Sequence, residues 1–272
     1  KLLLINASAF SYCNSNLTDE VYLRKWIDNM PMSQNKLDTV KTIPKNINKD
    51  DEKVKDNISD TLYFPLEKYH GNWKDPEAVY TSFVTRAYMR LSGGGYLKGF
   101  YSKTGITGGR DNLANIGQPT KEAYVLTDEC RAYLKELLSY CNKLGIEHVL
   151  LLQPPHETQA ADKSGLEQIE SITKEYGYDF LDLSTDYESI AGIDDSHDFA
   201  DFEHLNAYGA KKLTAYIGDM AVNQYGIKSD TAKSELSRWK KSVKRTKKAL
   251  KMAREYTDRG EAQVVGEYEA AK

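Results

Sequence analysis

Gly145-Ile146-Glu147-His148-Val149-Leu150-Leu151-Leu152-Gln153-Pro154-Pro155 is the stretch on which the fold turns. Val149 to Leu152 is an unbroken apolar run, the pattern of a strand buried on both faces. Gln153-Pro154-Pro155-His156-Glu157 ends it, because proline has no N–H to give to a neighbouring strand. Upstream, Thr127 to Leu144 reads as a helix: Thr127 is the N-cap, Tyr133, Leu134, Leu137 and Leu138 form the expected buried stripe, and Gly145 is the stop. Downstream, Ser164 to Tyr176 is a second helix stopped by Gly177, and Tyr178 to Leu183 a second strand. Helix, strand, helix, strand with short links is the alternation of a parallel sheet covered by helices and joined by right-handed crossovers.

Outward toward the N-terminus, Leu2 to Ile5 is another buried-strand pattern, followed by the small-residue loop Asn6-Ala7-Ser8-Ala9-Phe10. Loops at the carboxyl ends of parallel strands line the ligand crevice, which singles out Ser8 and Ser11, although serines there also cap helices. Thr18 to Met30 and Ser33 to Ile43 have helical patterns, the second ended by Pro44, and Lys45 to Asp60 reads as a solvated, Asn-rich loop. Tyr63 to Trp73 gathers aromatic residues around His70, as a packed aromatic turn or as a cleft wall with His70 as a polar contact. Asp75 to Leu91 reads as helix. Ser92 to Thr120 is a glycine-rich excursion of the kind that often joins a binding site, but it lacks a phosphate-cradling motif after a strand.

The chain has 272 residues, 40% hydrophobic and 28% charged, enough to bury a full core. A net charge of -3 gives no reason to expect nucleic acid as a partner. Tyrosine outnumbers phenylalanine 19 to 7, which suits polar, carbohydrate-facing clefts. Cys13, Cys130 and Cys141 have no metal-knuckle or redox spacing; Cys130 reads as a small core residue, and no disulfide is required. The chain opens directly on a buried-strand pattern without a starting methionine. The expectation is a piece of a longer protein, with a targeting or anchoring segment before Lys1.

Asp-x-x-His occurs twice, as Asp194 to His197 and as Asp201 to His204. A histidine that takes and returns a proton needs a fixed tautomer and ring orientation, and a nearby carboxylate supplies both. His204 is followed by Leu205, which can anchor the loop, by Asn206, a good N-cap for a helix from Ala207 to Gln224, and by Gly209, which permits close packing. His197 sits among Asp194, Asp195, Ser196 and Asp198 and reads as solvated loop. These acids also raise a metal reading, but without an ordered set of ligands, and no metal is expected. From Lys228 onward, Ser237 to Arg254 is a basic helix with Leu236, Trp239, Val243, Leu250 and Ala253 at recurring positions. It reads as a terminal helix with a solvated basic face, or alternatively as one that touches an anionic membrane surface or a partner. Arg259 to Lys272 reads as a polar tail.

The order strand, helix, strand, then Asp201-Phe202-Glu203-His204-Leu205-Asn206-x-x-Gly209-Ala210 and a helix resembles the C-terminal half of the SGNH (GDSL-like) hydrolase superfamily. Asn29-Met30-Pro31-x-Ser33-x-Asn35-Lys36 and Phe64-Pro65-x-x-Lys68-Tyr69-His70-x-x-Trp73 are similar to a bacterial subgroup that is membrane-anchored and works beside polysaccharide acyltransferases. The resemblance implies a three-layer, flavodoxin-like α/β domain over 1–227, incomplete at its N-terminus, with a helical extension over 228–272. It implies a Ser-His-Asp esterase or O-acyltransferase of acylated cell-envelope polysaccharide, with His204 as base, Asp201 as its orienting acid and no cofactor. His70, Trp73, His156 and Asn206 are the expected substrate contacts, and a membrane-bound acyltransferase the expected partner. The location implied is extracytoplasmic. The family's Gly-Asp-Ser nucleophile turn does not occur here, so the serine is expected before Lys1, with Ser8 as the candidate within the chain. The alternative on the same fold is a non-catalytic carbohydrate-binding or acyltransferase-partner module.

Overall fold

The computed structural model describes residues 1–11, 27–28, 30–46, 62–63, 74–77, 79–80, 83–84, 87, 97, 100–106, 119–123, 126–155, 159–184, 186–201, 204–228 and 233–266. In chain order the elements are β1 (Leu2–Asn6), α1 (Ser8–Ser11), α2 (Gln34–Asn46), β2 (Ser102–Lys103), β3 (Pro119–Ala123), α3 (Asp128–Lys143), β4 (His148–Gln153), β5 (Gln159–Asp162), α4 (Ser164–Glu175), β6 (Asp179–Asp182), α5 (Tyr187–Ala191), β7 (Phe199–Asp201), β8 (His204–Leu205), α6 (Ala207–Asn223), α7 (Lys233–Asp258) and β9 (Val264–Val265). The chain forms two compact units: Lys1–Tyr12 with Tyr88–Lys272, and Cys13–Ala87. The C-terminal helix belongs to the larger unit, and the second unit is an insertion after α1.

The larger unit is mixed α/β. Its parallel sheet has the order β1-β4-β6, with Leu2 opposite His148 and Asn6 opposite Leu152 on one side of β4, and Leu150 opposite Asp179 and Gln153 opposite Asp182 on the other. Val149, Leu150 and Leu151 are buried in the central strand, as their unbroken apolar run requires. Thr127 caps α3 by accepting the N–H of Cys130, and Gly145 follows the helix at φ 65°. The buried stripe is Cys130, Leu134, Leu138 and Cys141: Leu134 and Leu138 are inside as expected, Leu137 is half-buried, and Tyr133 is exposed. Cys130, Leu134, Leu138 and Cys141 fall within about 80° of one another, and Tyr133 lies roughly a quarter turn from their centre, on the flank of the stripe. Cys130 is buried, as its reading as a core residue expects, but it is also disulfide-bonded, whereas Cys141 is free and buried.

Further differences lie outside the central sheet. Ser92 to Thr120, expected as an excursion, contributes β2 and the first two residues of β3; β3 pairs in parallel with β5, and β2 pairs antiparallel with β9. The expected polar tail is thus in part a strand with Val265 fully buried. In the smaller unit, α2 runs past Pro44 to Asn46, since a proline near a helix end forfeits only the bond to the carbonyl four residues back. Ile27, Val40 and Leu62 form that unit's described core. Among the described residues, no helix is long and apolar enough to cross a membrane.

Candidate functional site

The loop that carries the second Asp-x-x-His is anchored at both ends. Phe199 is fully buried in a cluster with Leu183, Tyr187 and Ile193, against which Leu152, Leu205 and Leu213 pack. β7 and β8 form a small antiparallel pair with Phe199 opposite Leu205 and Asp201 opposite His204. The acid and the histidine thus face each other across two short strands, and His204 Nδ1 lies 2.7 Å from Asp201 Oδ1.

Below this pair, Asn206 caps α6: the N–H groups of Tyr208 and Gly209 donate to its Oδ1 at 2.9 and 3.3 Å. Its Nδ2 donates to the carbonyls of His197 at 2.6 Å and Gly105 at 3.1 Å. Asn206 is fully buried. This corrects its assignment as a substrate contact, because both ends of the amide are spent on the chain itself. Asp198 is buried as well, with Oδ2 accepting from Lys212 Nζ at 2.6 Å and from the Asp194 N–H at 2.7 Å.

His197 lies on a loop with its side chain 43% exposed, as expected, but its ring is held on two sides. Its Nδ1 sits 3.0 Å from Asp198 Oδ1, and its ring meets Tyr208 edge to face at 4.6 Å between centroids. The apolar partner that the local sequence lacks comes from the first turn of α6, and the acid that fixes the ring is the next residue.

A third group joins the Asp201–His204 pair. Lys103 Nζ is 2.8 Å from Asp201 Oδ2 and 3.0 Å from His204 Nδ1. Nothing local in the sequence marks Lys103. It is brought in by β2, which pairs with β9, and by Thr104, whose hydroxyl donates to the Glu261 carbonyl at 2.6 Å and whose N–H donates to the Gln263 carbonyl at 3.0 Å. Gly105 then adopts φ 102°, which side-chain-bearing residues rarely reach, and its carbonyl takes the Asn206 bond.

An acceptor, the Asp201 carboxylate, and a donor, the Lys103 ammonium, therefore compete for one ring nitrogen. If Nδ1 carries the proton, it donates to Asp201, and Nε2 presents a lone pair; if Nδ1 accepts from the Lys103 ammonium, Nε2 carries the proton. Nε2 has no hydrogen-bond partner among the described residues. His204 lines a cleft of about 240 Å³ together with Tyr101, Lys103, Pro154, Pro155, Leu205 and Leu213. Pro154 and Pro155 follow the carboxyl end of β4, the edge where parallel sheets place their ligands. A larger hollow, about 370 Å³, runs along α3 between Tyr133, Leu137 and Tyr140 and contains no acid–histidine pair.

The chain matches no known protein family, no curated protein and no solved structure.

Ser8 begins α1 at the carboxyl end of β1, the strand beside β4. Its Oγ accepts from Gln153 Nε2 at 3.4 Å, and its N–H donates to Asn6 Oδ1 at 2.9 Å. It is not among the described residues that line the His204 cleft. The expected contacts His70, Trp73 and His156 lie outside the described residues. No group of three or more His, Cys, Asp or Glu side chains among the described residues is arranged to hold a metal. Close to the site, hydrogen bonds from the Ser196 hydroxyl and N–H hold the Asp194 carboxyl below its ordinary range, while burial pushes Asp195 above it.

Proposed function

We propose that this chain carries the base and orienting acid of an SGNH-like esterase or O-acyltransferase acting on acylated cell-envelope polysaccharide. The observation that carries this reading is the 2.7 Å contact of His204 Nδ1 with Asp201 Oδ1 at the wall of a cleft. With the proton on Nδ1, His204 Nε2 removes the proton from a serine hydroxyl as its oxygen attacks the ester carbonyl. Asp201 stabilises the imidazolium, which then protonates the departing alkoxide. Water or a sugar hydroxyl takes up the acyl group in the second half of the reaction, by the same proton path in reverse. Ser8 is the candidate serine within the chain.

On this reading the three parallel strands belong to a flavodoxin-like sheet, and the protein works outside the cytoplasm beside a membrane-bound acyltransferase. The disulfide at Cys130 supports an oxidising location. Tyr101, more than half exposed at the cleft, offers a ring face to a sugar. The decisive measurement is hydrolysis or transfer of acetyl esters, on acetylated polysaccharide and on an aryl acetate, by the full-length protein. His204→Ala is expected to lower the rate at least about 100-fold, the scale of a lost general base. Undiminished turnover would refute the reading.

One observation favours the second reading, a non-catalytic glycan-binding or partner module. Lys103 Nζ, 3.0 Å from His204 Nδ1, can hold the proton on Nε2, and the ring then offers the cleft a donor instead of a base. In that case glycan is retained on a column, His204→Ala weakens that retention, and the protein neither turns over acetyl esters nor reacts with a serine-directed fluorophosphonate.

A further inference from the structure

The first half of α7 is largely exposed. Residues 235–241 are exposed on every side of the helix. Burial begins at Ser242 and continues through Ala249, Ala253 and Thr257, which pack the second half of the helix against the domain. Over the first half, Leu236, Trp239 and Val243 are 41%, 44% and 50% exposed. Their spacing of three and then four residues puts them in one stripe along a helix.

Charge is distributed just as unevenly. Between Glu235 and Glu255 there is no acidic residue, and Lys240, Lys241, Lys244, Arg245, Lys247 and Lys248 follow one another through the same turns. At about 100° per residue, Lys240, Lys244 and Lys247 fall beside the apolar stripe, on the side away from the buried face. The chain as a whole is acidic, at -3, so this helix carries a positive field opposite in sign to the remainder. A solvated basic face accounts for the lysines. It does not account for a tryptophan, a leucine and a valine lined up beside them in water.

We infer that the N-terminal half of α7 docks on an anionic phospholipid surface. Leu236, Trp239 and Val243 enter the headgroup boundary, and Lys240, Lys244 and Lys247 meet the lipid phosphates. An indole suits this depth because its ring is apolar and its N–H reaches the polar layer. Lysine stems cover apolar surface while their ammonium groups stay at the phosphates. Charge complementarity selects this occupant over a second copy of the chain, whose net charge is negative but whose matching helix is itself basic. The apolar stripe selects it over nucleic acid, whose backbone calls for the cations alone. The inference is independent of the chemistry at His204.

Flotation of the chain with large unilamellar vesicles tests it. Vesicles of phosphatidylcholine containing phosphatidylglycerol should carry the chain upward, those of phosphatidylcholine alone should not, and added salt should release it. Replacing Lys240, Lys244 and Lys247 by glutamine should weaken partitioning about fivefold per lysine. Trp239→Ser should weaken it as well, and both variants should keep the circular dichroism of the parent because the positions are exposed. The inference is overturned by equal flotation on neutral and anionic vesicles, or by binding that neither variant changes. It is also overturned if Trp239→Ser converts a dimer to a monomer, as seen by light scattering, while the parent ignores vesicles. Preferential binding of a DNA duplex over anionic vesicles has the same consequence.

Discussion

Asn206 uses both ends of its amide at once: Oδ1 receives the first N–H groups of α6, and Nδ2 ties down the carbonyls of His197 and Gly105. One side chain thus fixes the helix start, the loop before the dyad and the segment that brings Lys103. Gly209, one turn on, is held to its identity by space. A Cβ there would stand 2.5 Å from the Asp198 carbonyl oxygen and 2.9 Å from Leu205 Cδ2. That carbonyl cannot retreat freely, because the Asn206 N–H donates to it at 2.8 Å. Gly209→Ala is therefore expected to destabilise the fold by about 1–3 kcal/mol, the range for overpacking a tight site. Urea unfolding followed by circular dichroism measures it, and an unchanged midpoint would contradict the close approach. The acid–histidine pairing was legible at this scale, as were the cap and the glycine, because each depends on neighbours within a turn. The role of His197 was not legible. Its fixing partners are a buried carboxylate and the Tyr208 ring, and sequence does not show which way either points.

At the scale of elements, the segment between α5 and β7 is a network of short-range acid contacts. Asp194 accepts from the N–H and the hydroxyl of Ser196 at 2.8 and 2.6 Å, and its own N–H donates to buried Asp198. Its carboxyl is held below the ordinary value, first by the Ser196 hydroxyl, then by the Ser196 N–H. The sign follows from linkage: a depressed acid contributes stability above its unfolded-state pKa, about 3.9, and loses it as pH falls through the lower folded value. Asp194→Ala should therefore lower Tm at pH 7, and the gap to the parent should narrow as the pH falls below about 4. A gap that widens in acid would reverse the assignment. The helix–strand alternation from Thr127 to Leu183 was legible because each element announces its own period. The phase of the α3 stripe was not, since Cys130 and Tyr133 are both apolar enough to lie inside and only packing against the neighbouring elements chooses between them.

For the whole molecule, the C-terminal segment acts as a brace on the site. β9 pairs with β2, Gln263 and Thr104 exchange hydrogen bonds, and Thr257 Oγ1 accepts the Gly105 N–H at 3.1 Å. Ala249 and Ala253 of α7 pack with Ala207 at the start of α6, so the same helix backs both sides of the dyad. Removing residues 261–272 should leave the parallel sheet folded but release Lys103 from Asp201 and His204. The expected result is a largely retained far-ultraviolet spectrum with altered ester turnover or glycan retention. The His204 ring resonances followed by NMR provide the direct check, and identical resonances in parent and truncated chain would show that the brace does not reach the site.

The sequence by itself determined the local framework: strands at Leu2 and Val149, of which only the second proves buried while Leu4 of the first is exposed, capped helices at Thr127 and Asn206, and an acid and a histidine three residues apart on a loop with a reason to be rigid. Those features rest on periodicity, capping and steric rules that act within a few residues. Tertiary structure alone decided that Lys103 is the third member of the dyad's environment, that Asn206 is structural, and that the final residues form a strand. Each of these depends on a contact across about 100 residues or more, as between Lys103 and His204 or Thr104 and Gln263. Such pairings are set by which buried surfaces and backbone groups find one another once the chain is compact, and no local pattern encodes them.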